Sequence, residues 1–489
     1  MAIATQTTVS SARAVIFHYN SLITSGTNPN LAVTQYDIQK DILSFEFTKL
    51  LAQPSGTFTL QLTADTNWKR KVFPNDWVLV YLSNEGVESL RMFGNIDRVS
   101  QFTTKNDKGL LETNYIISGR DFGKVFDTTN IWFNPTNAVR MLLETQILKG
   151  NPTELIDNLL KVFLGGKITS ATIREQPQLN QWVIPSELAT YFSASPSIST
   201  VGDGLKRFYD ILFLDLQSGL SGYKVIQSLA TLQGNLWSIL KTNSNDVINE
   251  LYLELLNDYP TIVLRTKPFV RSGYSGGSIS SEINKFTDLE TVYVRGEDIV
   301  GTDIGYADHE RFNLFLLVAT SDFLGVEELL TKIQPEYPKI NIASIKRHGL
   351  RLLYVDTDFA LFSGSGKNSK INPRLLLDWN RLSFEFFNNA LFMESGTIEL
   401  GKANPDIKIG KALHIEESTI NQDKMFYIEG YTDSWSYPGN WKQTLQLTRG
   451  IYLIDGKEKF GYQQESLDTI YTGQNIVKRT DRKGRKSNV

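Results

Sequence analysis

Ser44-Phe45-Glu46-Phe47, with Ser55-Gly56-Thr57-Phe58-Thr59-Leu60 behind it, decides how this chain reads, because both phrases return. Roughly 340 residues downstream stand Ser383-Phe384-Glu385-Phe386 and Ser395-Gly396-Thr397-Ile398-Glu399-Leu400. Phe93-Gly94-Asn95-Ile96-Asp97-Arg98-Val99 lines up in turn with Phe426-Tyr427-Ile428-Glu429-Gly430-Tyr431-Thr432. Tyr115-Ile116-Ile117-Ser118-Gly119-Arg120-Asp121 lines up more loosely with Leu445-Gln446-Leu447-Thr448-Arg449-Gly450. Two copies of one module around a long unlike insert point to a geometric task. A subunit that presents similar surfaces twice can join rings of different symmetry.

The repeated unit reads as β-structure. Leu43, Phe45 and Phe47 alternate with Ser44, Glu46 and Thr48, the period of a half-buried strand. Pro54-Ser55-Gly56 and Phe73-Pro74-Asn75-Asp76 are turn chemistry, and Trp77-Val78-Leu79-Val80-Tyr81-Leu82 reads as a buried strand. Short strands at this spacing favour an antiparallel barrel or sandwich. The expected fold class is α+β, mainly β: two antiparallel β-barrel modules with a helical and mixed insert between them.

Residues 1–34 read as an N-terminal arm carrying Ala14-Val15-Ile16-Phe17, and 35–127 as the first barrel. Residues 128–258 read as a helical insert. Asn134-Pro135 and Asn151-Pro152 each place a cap before a first-turn proline, and Lys149-Gly150 and Gly165-Gly166 stop the segments. Leu155, Ile156, Leu159, Leu160 and Phe163 fall on one helical face and read as core. Helical patterns recur over 204–216 and 236–256. Residues 259–345 read as a mixed β segment that contributes strands to the second barrel. That barrel is expected over 346–455, followed by a C-terminal extension over 456–489.

The chain has 489 residues, 41% hydrophobic and 21% charged, with a formal charge of −3. That length needs about three or four folded units. The charge excludes a general polyanion binder. It has no cysteine, which removes disulfides, thiolate metal sites and cysteine nucleophiles. His18, His309, His348 and His414 are scattered, and no metal or cofactor is expected. The N-terminus lacks a secretory pattern, and no apolar run is long enough to span a membrane.

Gly364-Ser365-Gly366-Lys367-Asn368-Ser369 imitates a phosphate loop. It lacks the first glycine, where Leu361 stands, and the hydroxyl after the lysine, where Asn368 stands, so it reads as a surface loop. Glu46 and Glu385 match by duplication and sit in different modules, unlike the facing carboxylates of a glycosidase. Trp435, Tyr437 and Trp441 could stack on sugars, but large aromatics more often fill barrels and interfaces. Lys478, Arg479, Arg482, Lys483, Arg485 and Lys486 form a basic tail, read either as a docking site for an acidic partner or nucleic acid or as a solvated end.

Taken together, 45–60, 73–78 and 93–99 resemble the start of baseplate hub proteins of contractile phage tails and contractile injection systems. Arg347-His348-Gly349-Leu350-Arg351 with 394–400, and Met425 to Tyr431 with Thr444 to Gly450, are similar to later parts of that family. The resemblance covers roughly 35–127 and 235–455. It implies tail-tube-like barrels and a homotrimer whose six barrels form a pseudo-sixfold ring. Such a ring joins the tail tube protein to a central spike protein, touches tape measure and baseplate wedge proteins, and lets cargo, expected to be DNA, pass. It implies a structural, non-enzymatic virion component of the tail baseplate, assembled in the host cytoplasm. The rival readings are a carbohydrate-binding or hydrolytic tail protein, and a distal-tail or hub protein of a flexible tail or non-viral injection system.

Overall fold

The computed structural model describes residues 10–19, 33–105, 111–131, 149–163, 234–268, 289–306, 312–319, 339–357, 393–416 and 423–454, with short pieces elsewhere. Everything below concerns those residues. The chain is mainly β, built on one large sheet. Ser11–Tyr19 (β1), Val33–Ile38 (β2), Ile42–Leu50 (β3), Thr57–Thr63 (β4), Trp77–Asn84 (β5), Val87–Lys105 (β6) and Leu111–Asp121 (β7) make its first half. Their spatial order is β2-β1-β5-β6-β7-β4-β3. The two end strands, β2 and β3, are joined by only residues 39–41, so the covalent chain closes this sheet into a barrel. Ala14, Val15, Ile16 and Phe17, expected in an N-terminal arm outside the barrel, are fully buried in β1 between β2 and β5. An apolar run of this kind is stable as an interior strand.

The insert begins with Lys124–Thr128 (α1) and continues with Pro152–Phe163 (α2), capped as read: the Glu154 amide donates to Asn151 Oδ1 at 2.9 Å. Leu155, Ile156, Leu159 and Leu160 are buried, as their spacing predicts. Residues 132–148 and the Gly165-Gly166 stop lie outside the described residues. One helical expectation fails where the structure describes it, and another holds only in its first half. Asp210–Leu214 is a strand (β8), and after Leu236–Asn243 (α3) the chain forms a hairpin, Asn249–Leu256 (β9) and Tyr259–Thr266 (β10). β9 is buried on both faces, and although Leu251, Leu253 and Leu255 keep a period of two, Glu250 and Glu254 also stand at the i, i+4 spacing of a helix face. The expected boundary at 258/259 falls inside the turn of this hairpin.

The second half of the sheet comprises Thr291–Arg295 (β11), Ile299–Gly305 (β12), Glu394–Leu400 (β13), Ala412–Glu416 (β14), Asp423–Ser436 (β15) and Asn440–Ile454 (β16). Their order is β11-β14-β15-β16-β13-β12, and the three-residue turn Gly296–Asp298 links the end strands β11 and β12. β11 and β12 are strands that the 259–345 segment contributes to the second barrel, as read, so the barrel begins at Thr291, ahead of the boundary drawn at 346. Residues 314–319, 339–340 and 352–357 belong to a separate small sheet inserted between β12 and β13. In the C-terminal extension, 457–459 pairs with β16, 471–472 with 339–340, and 479–480 with 486–487.

The two halves repeat one topology and share two of their irregularities; the shifts at Val80/Tyr81, Glu394/Gly396 and Met425/Tyr427 each occur in one half alone. β3-β4-β7-β6-β5 in the first corresponds to β12-β13-β16-β15-β14 in the second. The β3–β4 ladder carries an extra residue between Ile42 and Ser44; the β12–β13 ladder carries one between Ile299 and Gly301. The β6–β7 ladder bulges between Ile96 and Arg98; the β15–β16 ladder bulges between Ile428 and Gly430. Asn75 and Gly410 both take positive φ (73° and 80°) and donate to the carbonyls of Ile96 (2.7 Å) and Ile428 (2.9 Å). Thr63 donates to Asp41 at 2.8 Å as Gly401 does to Asp298 at 2.9 Å. Bulges are designed features rather than defects, so coincident bulges fix the correspondence.

This correspondence corrects the sequence echo. The counterpart of β3 is β12, not 383–386, since Ser383 and Phe384 are helical. The Phe384 ring instead packs edge-on against Phe315, with centroids 5.0 Å apart. In β13, Thr397 corresponds to Thr59 rather than Thr57, a shift of two residues that leaves the buried face unchanged. β1 is an addition, and it makes the first barrel seven strands and the second six.

The β6–β7 hairpin is packed closely at Gly119, where a Cβ would stand 2.1 Å from the Asn95 carbonyl oxygen and 2.8 Å from the Phe58 ring. Gly119→Ala is expected to destabilise the chain by roughly 1–3 kcal/mol, read as a lower urea midpoint at unchanged slope.

Candidate assembly interface

The site where the two barrels meet is built on one strand. β15 gives residues 424–427 to its own barrel, pairing with β14, and residues 430–436 to the first barrel, pairing antiparallel with β3. The register runs from Gly430 opposite Leu50 to Ser436 opposite Ser44. Backbone bonds from Leu51 to Glu429 (2.7 Å) and from Tyr437 to Leu43 (2.9 Å) extend it at both ends. The Thr48 and Thr432 hydroxyls meet across it at 2.9 Å.

Behind this ladder lies a buried charge network. Arg91, from β6 of the first barrel, is fully buried against the fully buried Asp433 of β15, with Nε donating to Oδ2 at 2.8 Å. Its other nitrogens donate to the Pro405 and Ile407 carbonyls. Asp433 Oδ1 accepts from Trp441 Nε1 at 3.0 Å and Gln443 Nε2 at 2.8 Å. The guanidinium lies over the Tyr431 and Trp441 rings. Burial opposes the Arg91 charge, but Asp433, Tyr431 and Glu254 outweigh it and hold the group above its ordinary value. A second buried pair, Lys49 with Asp121, ties β3 to β7, and the Lys49 ammonium also donates to Pro54 O at 2.9 Å.

The β9–β10 hairpin clamps onto the same region. Glu250 and Arg265 face each other across it as a buried ion pair. Tyr427 Oη donates to Glu250 at 2.9 Å, and Arg265 donates to Gly410 O at 2.7 Å. Glu254 accepts from the Ile409 amide at 3.1 Å and from Tyr431 Oη at 3.3 Å. Burial, then Glu250, pushes the Tyr427 phenol well above its ordinary range. Burial, then Glu254, does the same to Tyr431. A cavity of about 350 Å³ beside the clamp is lined by Leu50, Lys241, Glu250, Tyr427 and Arg449 among others. Its Glu250 carboxylate is already engaged by Arg265 and Tyr427, which suits structure better than proton transfer.

Of the residues singled out in sequence, the structure brings together, among the described residues, the three aromatics of one hairpin and two residues of the basic tail. Trp435 and Trp441 are opposite partners in the β15–β16 hairpin and are buried, while Tyr437 is exposed at its turn. Glu46 is exposed on β3, and Glu385 lies outside the described residues. His18 Nδ1 sits 3.0 Å from Asp76 and His414 Nε2 3.3 Å from Asp423, in separate barrels. His309 lies outside the described residues. Among the described residues no cluster of His, Asp or Glu could hold a metal, and no helix is long and apolar enough to cross a membrane. In the basic tail, Arg479 and Lys486 fall in a short two-strand pair; Lys478, Arg482, Lys483 and Arg485 lie outside the described residues. Residues 364–369, read as a surface loop, lie outside the described residues; Phe362–Ser363 and Lys370–Ile371 on either side pair antiparallel. The sequence reading missed Arg91 and Asp433. Their signal was a charge inside an apolar strand pattern, which alone names no partner.

Solved structures similar to this chain include a tail protein from Neisseria meningitidis, 12% identical, with a TM-score of 0.46, covering 89% of this chain and 96% of the other. A 43 kDa tail protein of prophage MuSo2 from Shewanella oneidensis is 10% identical, with a TM-score of 0.41 and coverage of 89% and 97%. A type VI secretion component from E. coli, described as similar to the T4 tail proteins gp27 and gp5, is 10% identical, with a TM-score of 0.37 and coverage of 86% and 76%. At these scores the likeness is too distant to carry a functional assignment. No family model matches the chain, and no curated protein matches it.

Two measurements test the interface. Arg91→Met and Asp433→Leu are each expected to cost about 3–5 kcal/mol by leaving a buried charge unpaired. The double variant is expected to lose much less than the sum; strict additivity would remove the pair from the junction. The Tyr427 and Tyr431 phenols, raised in the fold, add stability that is complete below the ordinary phenol value near 10 and is lost as pH rises above it. Absorbance at 295 nm is therefore expected to show these phenols titrating only together with alkaline unfolding.

Proposed function

We propose that this chain is a structural hub of a contractile phage tail or related injection machine. Three copies would make a ring of six barrels around a channel. The sixfold face would meet the tail tube protein and the threefold face a trimeric central spike, with tape measure and wedge proteins around them. The single observation that carries this reading is the repeated barrel, with matching bulges, laid edge to edge in one continuous sheet. Two similar barrels per chain convert threefold into pseudo-sixfold symmetry without opening the ring. The formal charge of −3 suits a channel that passes DNA, since a strongly basic lining would hold its phosphates. The basic tail, including Arg479 and Lys486, is the candidate contact for an acidic neighbour.

Light scattering on the purified full chain, alone and with the trimeric spike of the same tail, tests the proposal. The expected result is a mass of three chains and, in negative stain, a six-lobed ring with a central hole. A compact monomer in both conditions would sink it, and glycan binding by the exposed aromatics would then be the next measurement.

A further inference from the structure

The repeat makes an arrangement inside the chain that is left unmatched at its two ends. Inside the chain, β15 outlasts its partner β14, and residues 430–436 pair with β3 of the neighbouring barrel. By the bulge correspondence, β6 is the counterpart of β15, and β12 is the counterpart of β3. β6 likewise outlasts its partner β5, whose ladder ends at Asn95. Beyond that point, residues 98–104 pair only with β7 among the described residues. β12 pairs only with β13 among the described residues, so its outer edge carries no strand.

Each edge carries one charge, Arg98 or Asp303, and one bulge at its start, and is otherwise uncharged over the residues concerned. The buried β15 residues Tyr431, Asp433 and Trp435 correspond to Val99, Gln101 and Thr103, none of which is buried. Val300 on β12 is 60% exposed and Tyr306 just beyond it 53%. β12 contains neither lysine nor proline, the residues that usually blunt a solvent-facing edge. An edge of this length without such residues is a template for another strand.

We propose that residues 98–104 of β6 pair antiparallel with the outer edge of β12, residues 301–306, in a second copy of this chain. This rests on the ring reading above and names the surfaces that close it. Transferring the β15–β3 register sets Ser100 opposite Gly305, Gln101 opposite Ile304, Phe102 opposite Asp303, Thr103 opposite Thr302 and Thr104 opposite Gly301. Junctions within and between chains then alternate, each of the same kind, and the sheet runs on around the ring. A head-to-tail contact of this sort closes only if the rotation per barrel divides the circle. Three chains of two similar barrels meet that condition when each junction turns by about 60°.

The absence of cysteine makes a direct test clean. Within one chain β6 and β12 are seven strand steps apart in the sheet, and a covalent trimer band, unlike an intrachain disulfide, reports a bond between copies. Oxidised Thr103→Cys/Thr302→Cys chain is expected to run as a covalent trimer in denaturing gels. An equimolar mixture of the two single variants is expected to stop at covalent dimers. Thr103→Cys/Asp303→Cys, one residue out of register and on the opposite face, is expected to stay largely monomeric. A trimer by scattering that fails to cross-link at 103/302 overturns this junction and leaves the ring reading standing. A monomer by scattering overturns both. Hydrogen exchange on the unaltered chain gives a second readout, independent of how the variants fold. Amides of 98–104 and 301–306 are expected to exchange as slowly as those of 44–50 and 430–436; fast exchange in a trimer overturns the junction.

Discussion

A strand has two edges, and β15 divides one of them between two barrels. Its first half belongs to the second barrel through β14, and its second half to the first through β3. Because one continuous backbone does both, the barrels cannot turn against each other without breaking a ladder of seven residue pairs. Residues of both barrels accordingly fall into one hydrophobic core, from Ala12 and Phe45 to Trp435 and Leu447. The spacing between the two barrels is set by strand geometry rather than by a flexible linker.

Arg91 and Asp433 belong to the same constraint. Replacing a buried ion pair with well-packed apolar groups is often neutral for stability, so the pair is best understood as fixing register. A slip of one residue between β15 and β3 would turn Asp433 to the other face and leave Arg91 buried without its carboxylate. Trp441, Gln443 and the carbonyls of Pro405 and Ile407 complete the network, so nearly every polar atom around the pair has a partner only in this register. The β9–β10 hairpin adds Glu250, Glu254 and Arg265 against Tyr427, Tyr431 and Gly410 from outside.

The repeat shows what tolerates change. The turns that close each barrel keep three residues, and two bulges, one in β3 and β12 and one in β6 and β15, keep their places. The first barrel has gained β1, and the second accepts a whole insertion between β12 and β13. Lengthening a loop costs only logarithmically in closure entropy, whereas a change inside a ladder disturbs every pair after it. The parts that differ are therefore connections and edges, and the parts that agree are the ladders that fix the barrel.

Much of this was legible in the chain. Alternation at 43–48 and 57–62, the Asn75-Asp76 turn and the α2 stripe are local patterns, and local sterics and burial decide them. The duplication was legible too, but not its register: the bulges set Ile96 against Ile428 and Ile117 against Leu445, one and two residues away from the alignment read in the sequence. Where the reading failed, the deciding partner was distant in sequence. Residues 383–386 carry the Phe-x-Phe spacing of β3 yet are not its counterpart, and β12, which carries no likeness to β3, takes that place. Residues 249–256 read as helix because Glu250 and Glu254 also fit a helical spacing, and only the pairing with β10 decides for a strand. Ala14 to Phe17 read as an arm because nothing nearby announces β5 as a neighbour. The sequence by itself determined that the chain is mainly β, doubled, and without thiol chemistry. Only the tertiary structure decided which strands are neighbours, that Arg91 meets Asp433, and which edges remain open, because hydrogen-bonded strand pairing depends on contacts hundreds of residues apart.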